Sequence, residues 1–168
     1  GMKVKNIQLG DSTNAKNIAS DMDITSLYKS ILPIMRKRIK EWVVPNAVDA
    51  TMSLFKSHLE KQLKQFKVLV SEYERVIVKN STRKQFVLAN APGNIKGYAL
   101  AYVCRKNDIL LMSSQHGVTI EISKAHDIMQ IAFDNSVSDI MFSYNSRIID
   151  IEKSTYFDKS KHYCVGMP

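Results

Sequence analysis

The residue types that do chemistry are few and scattered along this chain. A nucleophilic cysteine needs a neighbouring base, usually histidine, and a group that orients the base. Cys104 with His116 or His126 and Asp127 supplies those types. Their spacing carries no information, because such triads are defined in space and not along the chain. Cys104 also closes an alternating run, Tyr98, Leu100, Tyr102 and Cys104, and that pattern predicts a small core residue on a strand. Tyr98 and Tyr102 would stack nucleic-acid bases if exposed, but the same alternation predicts them in the core or under the helices. Cys164 reads as a surface thiol in a polar tail. The expected state of both cysteines is reduced and unpaired.

Metal-ligand spacing is absent. His58, His116, His126 and His162 include no i, i+4 pair, and there is no CxxC or HExxH. No metal and no cofactor is expected. Glu121, Asp150 and Glu152 are the available acid–base carboxylates, and Asp150 and Glu152 alternate with Ile149 and Ile151 as on a half-exposed strand. The stretch Ala91-Pro92-Gly93-Asn94-Ile95-Lys96-Gly97 has two glycines and a lysine but lacks the GxxxxGK[ST] spacing and, on the strand reading of 96–105, the helix that should follow.

The basic stretches carry more. Arg36, Lys37, Arg38 and Lys40 form one cluster, and Lys56, Lys61, Lys64 and Lys67 a second. On two packed helices they would merge into a surface for an anionic partner, neutralising phosphates with steep salt dependence. The alternative is a solvated face with local pairs such as Lys56–Glu60 and Glu60–Lys64. Residues 1–83 hold 15 Lys+Arg against 8 Asp+Glu, a net +7, whereas residues 84–168 hold 9 against 8, a net +1. Nearly all of the +8 total therefore lies on the first half, which favours acidic proteins, nucleic acid or anionic lipid.

The elements that position these residues follow from hydrophobic period. A first helix is predicted from a cap at Ser20 or Asp23, with Ile24, Leu27, Tyr28, Ile31, Met35, Ile39, Trp42 and Val43 on one face. Pro33 predicts a kink or break in it. A second helix is predicted over 46–80, capped by Asn46, with Val48, Met52, Phe55, Leu59, Leu63, Phe66, Val70, Tyr73 and Ile77 at near-heptad steps. A loop of a few residues between them predicts an αα-hairpin, with a coiled-coil dimer as the alternative.

After residue 83 the pattern changes. Strands are predicted over 85–90, 96–105, 109–113 and 118–122, then a short helix capped by Ser123 with apolar residues over 125–133, then strands over 139–144 and 147–153, with strand character at 163–165. Short turns between strands predict an antiparallel sheet covered by one helix. The expected fold class is α+β, in the order ααββββαββ. Residues 1–19 are expected to be a flexible N-terminal segment, 20–80 the helical hairpin, and 84–168 the sheet with its helix, one structural unit with the hairpin.

At 168 residues and 45% hydrophobic content, a core forms without disulfides or metals. No apolar run of eighteen residues and no signal-peptide h-region is present, so the expected location is cytoplasmic. The expected function is a non-enzymatic interaction module that docks a protein partner or self-associates through the hairpin, as monomer or dimer. The alternatives are a nucleic-acid-binding protein using the basic hairpin face, and an enzyme dependent on Cys104.

Overall fold

The structure, a computed structural model, describes residues 24–78, 85–117, 127–153 and 159–166. The order of elements is α1 (Ile24–Trp42), a 3-10 turn (Pro45–Ala47), α2 (Val48–Ile77), β1 (Phe86–Asn90), α3 (Ile95–Lys106), β2 (Leu110–Ser114), α4 (Asp127–Asn135), β3 (Ile140–Ser143), α5 (Arg147–Lys153) and β4 (Lys161–Cys164). The expected cap of the first helix, the flexible segment 1–19, the strand at 118–122 and the Ser123 cap lie outside the described residues.

The sheet is not antiparallel. Its four described strands run in the order β1-β2-β3-β4, and every neighbouring pair is parallel. The cause is two segments expected to be strands that are helices. Residues 95–106 form α3 and 147–153 form α5, so β1 to β2 and β3 to β4 are crossovers and not hairpins. Parallel neighbours need such a connection, because a two-residue turn reverses the chain.

The α3 segment starts where its local chemistry says a helix should. Asn94 is extended, and its Oδ1 accepts from the backbone N–H groups of Lys96 and Gly97 at 3.0 and 3.1 Å. Arg105 and Lys106 fill the last turn, where cations offset the helix dipole. Asn94→Ala is expected to remove about 1 kcal/mol, a fall of about 3 °C in the thermal midpoint read by circular dichroism. A midpoint unchanged within error would contradict the cap.

Pro33 neither breaks nor ends α1, which runs through it from Ile24 to Trp42. Asn46 is no cap either. It lies in the 3-10 turn that runs directly into α2, where Thr51 Oγ1 donates back to the Ala47 carbonyl at 2.9 Å. The turn folds α1 against the first part of α2, and Arg36 pairs with Asp49 across the two helices.

The rest of α2 packs on α3. Leu69, Val70, Tyr73 and Ile77 of α2 share one buried cluster with Ala99, Leu100, Ala101, Val103 and Cys104 of α3 and Leu111 of β2. Val87 and Ala89 of β1 pack against that cluster from the sheet. A second, smaller cluster joins Ile131 of α4, Met141 of β3 and Ile148 of α5. The sheet positions that alternate with these, Phe86, Leu88, Leu110 and Tyr163 among them, are exposed.

Candidate functional site

In the described hairpin, burial is incomplete. Only Val48 and Met52 are buried in the half of α2 that faces α1, while Ile31, Leu32, Met35 and Ile39 on α1 and Phe55, Leu59 and Leu63 on α2 are half-buried. Around them Trp42 is 87% exposed, Val44 65% and Ile34 64%, while the exposed Leu54 lies on the opposite face of α2. Two helices alone enclose little volume, so the apolar stripe on each is only partly covered.

The eight basic residues lie on this same pair of helices. Arg36, Lys37, Arg38 and Lys40 are exposed on α1, Lys56, Lys61 and Lys64 are exposed on α2, and Lys67 is half-buried. Within the hairpin Arg36 pairs with Asp49, and Arg38 with Glu41 at 3.1 Å one turn on. Exposed pairs of this kind contribute about 0–1 kcal/mol, so their main effect is to reduce the charge offered outward. Over residues 24–78 there are 10 Lys+Arg and 5 Asp+Glu, leaving +5.

Cys104 is fully buried, but in a helix and not a strand. Burial, and then the charge of Asp139, push its thiol up to about 11, with Arg105 acting weakly in the opposite sense. A nucleophile needs the reverse shift. Because the native thiol holds its proton above the ordinary value of 9, the folded state binds more protons than the unfolded state between about pH 9 and 11, and stability falls as pH rises through that window. At pH 7 the exposed Cys164 is expected to react with iodoacetamide while Cys104 reacts only on unfolding. Equal alkylation of both in the folded protein, read by peptide mass spectrometry, would contradict this.

The remaining candidates are also placed. Two first-turn donors of α3, the N–H groups of Lys96 and Gly97, are taken by Asn94, so although a helix does follow the Pro92-Gly93 turn, these donors are not offered to a phosphate. Asp150 lies on α5 beside Lys153 at 3.6 Å. His126 and Glu121 lie outside the described residues. Among the described residues no three His, Cys, Asp or Glu side chains form a metal-binding group. Tyr98 and Tyr102, expected in the core or under the helices, are 43% and 42% exposed on α3.

Sequence reasoning missed a set of buried polar groups at the crossovers. Gln115 is buried at the end of β2. Its Nε2 donates to the Gly117 carbonyl at 2.7 Å, and its Oε1 accepts from Tyr144 N–H at 2.9 Å, tying the ends of β2 and β3. Asp134 is fully buried, and its Oδ2 accepts from His116 N–H at 2.8 Å. Asn135 donates to Ser160 Oγ, which lies 3.1 Å from His162 Nε2. The polar run Asp134-Asn135-Ser136, directly after the apolar residues of the helix, was the available signal. Ser160 and His162 are a nucleophile and a base in contact, but they sit where β4 begins. Ligands of open α/β sheets bind outside the carboxyl ends of strands, at a point where strand order reverses, and the order β1-β2-β3-β4 has no reversal.

No family model matches the chain, and neither a curated protein nor a solved structure matches it. No described helix is long and apolar enough to cross a membrane.

Proposed function

We propose that this chain is a non-enzymatic protein-interaction module that self-associates through its helical hairpin, acting in the reducing interior of the cell. The observation that carries the proposal is the exposed apolar tip and edge of the hairpin, Trp42, Val44 and Ile34, beside a stripe that α1 and α2 only half bury. Two such hairpins packed across a two-fold axis form a four-helix bundle, the commonest way for paired amphipathic helices to enclose a core. The near-heptad steps along α2 suit that packing. Trp is also the residue type most enriched at interface hot spots. Two unpaired cysteines, one of them exposed, fit a reducing compartment.

Light scattering on the purified protein across a concentration series tests the proposal. The expected mass rises towards twice the 19.1 kDa of the monomer within the micromolar range. A mass that stays at the monomer value to about 100 μM, a range in which a specific interface of ordinary size associates, would contradict it.

A further inference from the structure

The junction of α2 and α3 forms a cleft of about 580 Å³. Phe66 of α2 stands on one wall in edge contact with Tyr102, ring centroids 6.0 Å apart. Tyr98 and Tyr102 of α3 supply two further rings, and Arg105 and Lys106 close the end. Arg105 Nη2 donates to the Val137 carbonyl at 2.9 Å, and Lys106 pairs with Glu74 at 2.7 Å. Lys106 is thereby held at the mouth with its charge partly offset, so Arg105 is the principal cation. A guanidinium carries five N–H donors and holds both that carbonyl and a phosphate oxygen.

We propose that this cleft binds single-stranded nucleic acid, with one base held between Tyr98 and Tyr102 and the adjoining phosphate on Arg105. The spacing of the tyrosines suits a flat ring. Side chains four residues apart on a helix are separated by about 6 Å along the axis. A base sandwiched between two rings needs about 6.8 Å, twice the 3.4 Å rise of stacked nucleotides. Aromatic rings beside cations are the recurring means of binding unpaired strands, because every base has a π-face. A duplex offers no unstacked base to such a cleft. The charge is complementary: Lys64 and Lys67 lie on the turn of α2 that carries Phe66, within a chain of net +8. An acidic peptide would meet the same cations, but nothing in a carboxylate calls for the paired rings. The site is separate from the apolar hairpin edge and does not depend on hairpin pairing.

Fluorescence anisotropy with fluorescein-labelled dT12, the matching 12-base-pair duplex and a labelled twelve-residue oligoglutamate, at 50 and 200 mM KCl, tests the site. The expected result is low-micromolar binding of dT12, at least about tenfold tighter than the duplex and falling steeply with salt. Tyr98→Ala and Tyr102→Ala each weaken it about tenfold, and Tyr98→Phe leaves it within about twofold. Arg105→Gln weakens it and lowers the salt slope by about 1. Both tyrosines are well exposed, so the variants are expected to keep the unaltered circular dichroism spectrum. Photocrosslinking of dT12 to the unaltered protein gives a readout free of mutation and is expected to mark Tyr98 or Tyr102. The proposal is overturned by absent dT12 binding at 50 mM KCl, by binding indifferent to both alanine variants, by a crosslink confined to α1, or by oligoglutamate binding as tightly as dT12, which would make the cleft an acidic-protein site.

Discussion

Gly97→Ala is expected to lower the thermal midpoint by about 10 °C, the equivalent of about 3 kcal/mol in a chain of this size. From helix propensity alone the sign would be opposite, since alanine is favoured over glycine inside a helix by about 1 kcal/mol. Packing decides otherwise. A Cβ at Gly97 would lie 1.9 Å from the Pro92 carbonyl oxygen and 2.6 Å from the Pro92 Cα, both backbone atoms. The loop has little room to retreat. Pro92 is buried, Gly93 N–H donates to the Phe133 carbonyl at 2.7 Å, and Asn94 is bonded to the first turn of α3. Gly93 is held as closely on its other side, where a Cβ would come within 2.2 Å of the Ala132 carbonyl oxygen. Lys96→Ala, next in the chain and exposed, is the control and should change stability by no more than about 0.5 kcal/mol. A stabilised Gly97→Ala protein, measured by thermal denaturation, would show that the loop does not clamp α3 against α4.

That glycine marks where the sequence was legible and where it was not. The hairpin could be read because Met35 and Ile39, and Met52, Phe55 and Leu59, recur at helical steps against charged neighbours, so period and contrast agree. The stretch 96–105 has no such contrast. Tyr98, Leu100, Tyr102 and Cys104 alternate with Gly97, Ala99, Ala101 and Val103, and nearly all are apolar, so a period of 2 and a period of 3.6 fit equally well. The exposed set, Tyr98, Tyr102 and Arg105, has helical spacing, and Asn94 after Pro92-Gly93 was a start signal. Arg147 to Lys153 failed similarly. Ile148, Ile149 and Ile151 suit either element, and the deciding feature is Asn145, whose Oδ1 accepts from Arg147 N–H at 3.0 Å as the helix begins. Once two helices are taken for strands, each crossover becomes a hairpin and the sheet turns antiparallel. The basic candidates were legible as hairpin residues, all but Lys67 exposed, but the internal pairing of Arg36 and Arg38 needed three dimensions. So did the cleft at Tyr98 and Tyr102, because Phe66 on the facing wall is 32 residues or more from them in the chain.

The second large effect concerns the hairpin. Trp42→Glu combined with Ile34→Glu is expected to weaken self-association at least about a hundredfold, because each places an unpaired carboxylate in an apolar interface. Both side chains are so exposed in the single chain that the folded monomer should lose no more than about 0.5 kcal/mol per site. Salt supplies an independent sign. The paired hairpins each carry +5, and their repulsion is screened as the Debye length shrinks from about 10 Å at 0.1 M to about 3 Å at 1 M. Association through apolar side chains therefore strengthens with salt. Association driven by the basic face, with an acidic protein or a phosphate backbone, weakens.

Sedimentation velocity of the unaltered protein and the Trp42→Glu/Ile34→Glu variant, each at 0.1 and 1 M salt, tests hairpin pairing most directly. The expected result is a dimer that becomes more populated at 1 M salt and a variant that sediments as a folded monomer at both. A monomer throughout, or a dimer that dissociates at 1 M salt or survives both substitutions, would contradict it.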